Sequence, residues 1–466
     1  MPGNQGALEL FANAGIAMKS LRSGKDADES GKLPRLRWWI CGLLFVATVI
    51  SYIDRQTISI AAPVIVKEFH LNNEQLARIL SAFLVAYTFG QLVAGRFLDW
   101  IGSRAGFSIA ITIWSLANAL TALVTRPWGF VFLRFMLGVG ESGNFPGGVK
   151  VVTEWFSPRE RAFAGGLFTS GASVGAILAG PLVGTITYYW GWRAAFVVTG
   201  SLGFIWLIGW LIVYYPPSRH PRLSQEERSV LAAHADADEA TETMRWIDLF
   251  RFRQVWALVI ARILEEPLIW MAVFWLPKYI VDVRGLSILE TGWFLTLPFI
   301  ALDIGYISGG WASGRLMARG WSLRRAKLSV MTVAALLMVA AIPAARSGSV
   351  PLFAVFLCLA TLGHGSWFSN ILTMPSDIAP RRLVASVYGI SAMGGGLGGL
   401  WFTEFTGFVT DRFQTYTPVF LLAGLLPLVA TALLVLVGGR MNQLSEDYAR
   451  RKATPTPTVA PLSGNQ

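Results

Sequence analysis

A small set of ionisable side chains stands inside apolar stretches: Asp54 and Arg55 in one, Arg134 and Glu141 in another, and Arg262 with Glu265 and Glu266 in a third. A charged group at the centre of a bilayer costs at least about 2.5–3.5 kcal/mol, so each needs a partner or a wet cavity and is a functional candidate by default. Two kinds of chemistry are on offer. Carboxyl groups exchange protons, and a guanidinium fork captures an oxyanion without losing its own charge. Asp54 and Arg55 are neighbours, so on a helix their side chains diverge by about 100° and cannot meet the same partner. Either one faces a cavity while the other pairs across helices, or both belong to a helix-locking ion pair. Arg134 and Glu141 share a helix face but sit about 10 Å apart along it, at different depths of one cavity. Glu141 is bracketed by Gly138, Gly140 and Gly143, which leave room for a close helix or water. Burial and a neighbouring guanidinium act on such a carboxyl in opposite senses, the tension a reversible proton site needs. Glu141 and Asp54 are therefore the expected proton-coupling residues. Arg262, three and four residues before Glu265 and Glu266, either pairs with one of them or stands as a second positive element.

The elements that position these groups follow from composition. The chain has 466 residues, 54% of them apolar and only 14% charged, against about a quarter charged in soluble domains. Its apolar runs last long enough to cross a hydrocarbon core as helices, where a barrel would show short alternating segments. The fold class expected is an all-α membrane protein of twelve transmembrane helices in two parallel-related six-helix bundles. The runs fall at 38–64, 76–97, 106–125, 128–152, 161–189, 193–215, 254–282, 288–314, 327–346, 350–374, 384–410 and 418–438. The domain division expected is a cytoplasmic tail over 1–31, an N-terminal bundle over 32–215, a linker over 216–252, a C-terminal bundle over 253–438 and a tail over 439–466. Ser224-Gln225-Glu226-Glu227 has capping-box spacing and starts a short linker helix. Cys41 and Cys358 lie inside apolar runs, and His70, His220, His234 and His364 have no ligand spacing. No metal site and no organic cofactor is expected.

The net charge of +11 has a topological cause, not a nucleic-acid one. Of 39 Lys and Arg, those in the tails and in the loops after even-numbered spans far outnumber the eight on the other side: Lys67, Arg78, Arg126, Arg193, Lys278, Arg284, Arg346 and Arg412. Basic residues stay cytoplasmic, so both termini are expected there, in a multi-pass protein of the cell's inner membrane. A repeat supports the two halves: Ser157-Pro158-Arg159 corresponds to Ala379-Pro380-Arg381, and Phe196-x-x-x-Gly200 to Phe420-x-x-x-Gly424. Two parallel repeats are a transporter architecture with the substrate site near the midplane.

Gly95-Arg-Phe-Leu-Asp99-Trp-Ile-Gly102-Ser-Arg104 resembles the signature loop of the major facilitator superfamily, and Gly310-Trp-Ala-Ser-Gly314-Arg315 is a degraded second copy. Tyr52-Ile53-Asp54-Arg55, Arg134 with Gly138 and Glu141, Glu154-Trp155-Phe156 with Arg159-Glu160-Arg161, and Pro216-Pro217 resemble the anion:cation symporter family. Arg262 to Pro267 and Gly363-His364 are most similar to its bacterial hexuronate and aldonate transporters. The resemblance implies a proton-coupled secondary transporter, not an enzyme, that imports a carboxylate-bearing sugar acid through the lipid bilayer by alternating access. It implies Arg55 as the carboxylate clamp facing the central cavity, with Tyr52 and Tyr87 offering hydroxyls. Arg134, Arg262, His364, Asn370, Thr373 and Ser391 complete the expected substrate-binding set, although a lone His reads more readily as a packing residue. Gly95, Asp99, Gly102 and Arg104 are expected to gate, with Asp99 capping a helix or pairing with Arg159 or Arg161. Asp303 has no assigned role. A monomer is expected. Gly175, Gly180-Pro181 and Gly184 partly resemble an antiporter motif and leave a proton-coupled exporter as the alternative, with a membrane nutrient sensor or enzyme as a remoter one.

Overall fold

A computed structural model describes residues 36–156, 160–225, 228, 246–378 and 384–437. Both expected tails, most of the linker helix, and the repeat at Ser157-Pro158-Arg159 and Ala379-Pro380-Arg381 lie outside the described residues. Within them all regular structure is helical. The helices of the first part of the chain are α1 (Leu36–Phe69), α2 (Asn73–Ile101), α3 (Ser103–Leu120), α4 (Pro127–Glu141), α5 (Asn144–Trp155) and α6 (Arg161–Val213). Those of the second are α7 (Arg253–Glu265), α8 (Pro267–Phe274), α9 (Leu276–Arg284), α10 (Ile288–Phe294), α11 (Thr296–Ala318), α12 (Leu323–Met338), α13 (Ala341–Arg346), α14 (Val350–Ile378), α15 (Val384–Phe413) and α16 (Thr417–Val437).

The apolar runs and the helices do not map one to one, for local reasons. Helix α6 carries two expected passes in 53 residues, and they part at Gly191, whose φ of 83° is open to a residue without a side chain. The run at 128–152 is split between α4 and α5 at Ser142-Gly143, and that at 254–282 is split twice, before Pro267 and before Leu276-Pro277. Proline at the start of α8 and α9 cannot donate to the preceding turn, so the helix restarts there. Among the described residues, seven helices are consequently long and apolar enough to cross a membrane, or eight if the bent α2 is one span. Exposed Trp39, Trp128, Trp190 and Trp311 fit rings at a lipid boundary.

Helix α1 packs along α6, α2 on α4, and α3 on both α4 and α6. In the second half α11 packs on α14, α7 on α15 and α16, and α12 on α14. The halves touch mainly through α2 with α15 and α6 with α10. They close at the end of the molecule opposite Leu36 and Val437. There the Asp411 carboxylate of α15 accepts the backbone N–H groups of Asn73 at 2.9 Å and Glu74 at 2.7 Å, the first residues of α2. In the other contact between the halves, Gly180 of α6 and Gly292 of α10 approach so closely that a Cβ on either would strike the other's backbone carbonyl. At the end that carries Leu36 and Val437, Gly389 of α15 meets no atom that a Cβ would touch, and Tyr388 is 41% exposed.

Candidate functional site

The first ionic cluster is built where α1, α2, α3, α4 and α6 converge. Arg55 directs Nε and Nη2 to a single oxygen of Glu141, Oε2, at 3.0 and 2.8 Å. Its guanidinium lies between aromatic rings, 4.4 Å from the centroid of Tyr52, 4.5 Å from Tyr87 and 5.0 Å from Phe83. Such rings attract a desolvated cation. Arg134 sits 4.9 Å over Phe83 and donates Nη2 to the backbone carbonyl of Arg55 at 3.1 Å. Its Nε and Nη1 have no hydrogen-bond partner among the described residues. Arg134 and Glu141 do not bond, in keeping with their axial separation. Asp54 points away from Arg55 and accepts Asn118 Nδ2 at 2.6 Å, while the same amide also donates to Thr199 at 2.8 Å. All four charged groups are buried.

The second cluster forms at the break between α7 and α8. Arg262 forks onto Glu266, with Nε 3.0 Å from Oε1, so of its two acidic neighbours the one four residues on is the partner. Glu265 turns to α14, where its Oε1 lies 2.5 Å from Nδ1 of His364. The His364 ring stacks on Phe368 at 5.6 Å, and Arg262 lies 5.1 Å over the same Phe368. His364 therefore has an acidic partner that its own neighbourhood in the sequence does not reveal. The doubled acid Glu265-Glu266 is the signal that points to it, because one guanidinium three or four residues away cannot fork onto both.

The remaining expected residues disperse. Asn370 donates its amide to the carbonyls of Ser366 at 2.9 Å and Gly309 at 3.3 Å, which ties α14 to α11. Thr373 accepts Lys327 Nζ at 2.7 Å, and the same ammonium pairs with Asp377. Ser391 is buried in α15. Asp303, for which the sequence offered no partner, has Ser173 of α6 beside it. In the signature loop Asp99 takes Lys150 at 2.6 Å in place of the arginines expected, because α5 ends against that loop. Arg161 donates instead to the carbonyls of Phe156 and Thr153, and Arg159 lies outside the described residues. Gly102 adopts φ 87°, which turns the chain from α2 into α3. Arg104 donates to the Leu211 carbonyl at 2.6 Å and covers Tyr215 at 3.6 Å, while Gly95 meets nothing within 4 Å. Asn118 and Thr199 are the site residues that sequence reasoning passed over, and Glu265, weighed there only as a partner of Arg262, meets His364 instead.

The family model described as Major Facilitator Superfamily matches residues 44–403. The hexuronate transporter of Escherichia coli K12 is 31% identical over 400 residues, covering 84% of this chain and 91% of its own. The D-galactonate transporter of Escherichia coli O6:H1 is 30% identical over 421 residues, covering 88% of this chain and 97% of its own. The inward-facing, unoccupied crystal structure of a bacterial homologue of the human lysosomal transporter Spinster superposes with a TM-score of 0.68 at 17% identity, covering 91% of this chain and 100% of its own.

Proposed function

We propose, from the premise that this chain belongs to the Major Facilitator Superfamily and is a multi-pass membrane transporter, that it takes up a sugar acid anion together with protons by alternating access. The relatives named for hexuronate and D-galactonate support that substrate class. The excess of basic residues in one set of loops supports an inner-membrane location with both termini cytoplasmic.

The observation that carries the reading is the fork of Arg55 on Glu141 between tyrosine rings. A substrate carboxylate and Glu141 compete for one guanidinium. Once Arg55 turns to the substrate, an ionised Glu141 is left buried without its partner, at a cost of several kcal/mol, unless it takes a proton. Anion and proton thus favour each other's binding, which is what thermodynamic coupling requires. Tyr52 and Tyr87 sit on the same guanidinium and would offer hydroxyls to a sugar held there. The glycines behind the exporter alternative have a packing use: Gly175 takes α1 at Val49 and Tyr52, and Gly180 and Gly184 take α10.

The test is uptake of labelled galacturonate, glucuronate and galactonate into proteoliposomes. An inward proton gradient should drive accumulation of at least one of them. Glu141→Gln should keep exchange of internal for external substrate but lose gradient-driven accumulation. Accumulation in that variant equal to the wild type removes Glu141 from the coupling role.

A further inference from the structure

We propose that Glu265 and His364 form a second proton-binding site, in the C-terminal half, that loads and releases one proton in each transport cycle. The proposal rests on the proton-coupled reading above and adds a site to it. Glu265 ends α7 and His364 lies midway along α14; Oε1 and Nδ1 are 2.5 Å apart, and both residues are at most 1% exposed. Two bare lone pairs repel at that separation, so one proton on the pair is what makes the contact favourable.

Charge counting says what the proton does. Arg262 is committed to Glu266 by its fork, and the two neutralise each other. Glu265 with a neutral imidazole would then leave one uncompensated negative charge in a buried site, which is costly in a low-dielectric interior. One proton on the Glu265–His364 pair removes that charge. Among the described residues, the groups facing the cluster do not supply a substitute cation. Tyr306 of α11 faces Glu265, with Asp303 beside it; Tyr388 of α15 faces Arg262, and Tyr52 of α1 faces Glu266 across the interface. Helices α8 and α16 carry no ionisable side chain. Lys327 of α12 is bound to Thr373 and Asp377, nine and thirteen residues beyond His364 on α14, about 14–20 Å along the helix.

The pair also has a link to the cavity. Phe368 is shared by the His364 ring and the Arg262 guanidinium, and Arg262 lies within electrostatic reach of the half-exposed Tyr388. A substrate carboxylate that draws Arg262 off Glu266 leaves the cluster one negative charge in excess and favours a second proton on Glu265–His364. Losing the substrate returns Arg262 to Glu266 and frees that second proton.

The experiment measures protons moved per galacturonate in proteoliposomes, from the membrane potential at which net flux reverses. The wild type should move more than one; His364→Gln should lower the ratio by one and flatten the dependence of uptake on pH, and Glu265→Gln, which mimics the pair with its resting proton, should keep the ratio. As a check on protein in which the pair is intact, Glu141→Gln transporter in weakly buffered detergent solution should still take up a proton when galacturonate binds. A wild type that accumulates substrate on a proton gradient, with an unchanged ratio in His364→Gln and no proton uptake by Glu141→Gln, overturns the second site alone. A wild type with no gradient-driven accumulation overturns the coupled reading and this site with it.

Discussion

The two halves of the molecule bury ionic clusters of different arithmetic. In the first, Arg55 and Arg134 stand against Asp54 and Glu141, two cations for two anions, spread over α1 and α4 and joined across helices. In the second, Arg262 alone faces Glu265 and Glu266, with an imidazole as the remaining partner. The first is neutral with every group in its ordinary ionic form. The second is neutral only with a proton aboard. On the proposed reading, similar bundles give one site that must be provoked into taking a proton, by an anion that displaces Glu141, and one that holds a proton at rest.

The comparison breaks most sharply at Arg55. Arg55→Ala strands Glu141 at about 3–5 kcal/mol and should cut uptake by at least about 100-fold. The double variant Arg55→Ala/Glu141→Gln should regain thermal stability without regaining uptake, which separates folding from function. In the second half the matched removal is Arg262→Gln with Glu266→Gln. Because those two groups neutralise each other, the loss should be smaller, about tenfold, and an equal loss in both halves would erase the distinction. Asp411→Asn comes next: weakening a helix cap costs about 1 kcal/mol, enough to move the balance between closed and open forms of that end by about fivefold. Reagent access to Thr410→Cys, with and without Asp411→Asn, reads it. The smallest effect concerns Glu68, at the exposed end of α1, whose carboxyl is held below its usual range by hydrogen bonds from Arg193 and Trp192. A carboxyl shifted downward adds stability above its unfolded value and loses it as pH falls through the lowered folded value, so Glu68→Gln should lower the melting temperature slightly at pH 7 and not at all once the carboxyl is protonated in both states.

What the sequence made legible is what one helix determines by itself. The spacing from Arg262 to Glu266 places the two on one face, and the apolar run lengths give the helices, as do the glycines around Glu141. What it left open depends on rotation and crossing of separate helices. Nothing local says that Arg55 meets Glu141, 86 positions on, while Asp54 beside it meets Asn118. The same holds for His364 and Glu265, almost a hundred residues apart, and for Lys150 in place of the arginines expected at Asp99. Breaks inside spans were equally hidden at α4, since Ser142-Gly143 carries no proline, although Pro267 and Pro277 mark those of α7 to α9.

The carboxylate of Asp411 grips main-chain amides, not a basic side chain. Amides have no proton to lose in the working range and cannot be substituted away, so positions 73 and 74 are free to drift without unfastening the seal. Water can replace the carboxylate on those amides when the halves part, so little is forfeited by undoing it. This seal is thus cheap to undo, which suits an end of the molecule that must part without a ligand of its own.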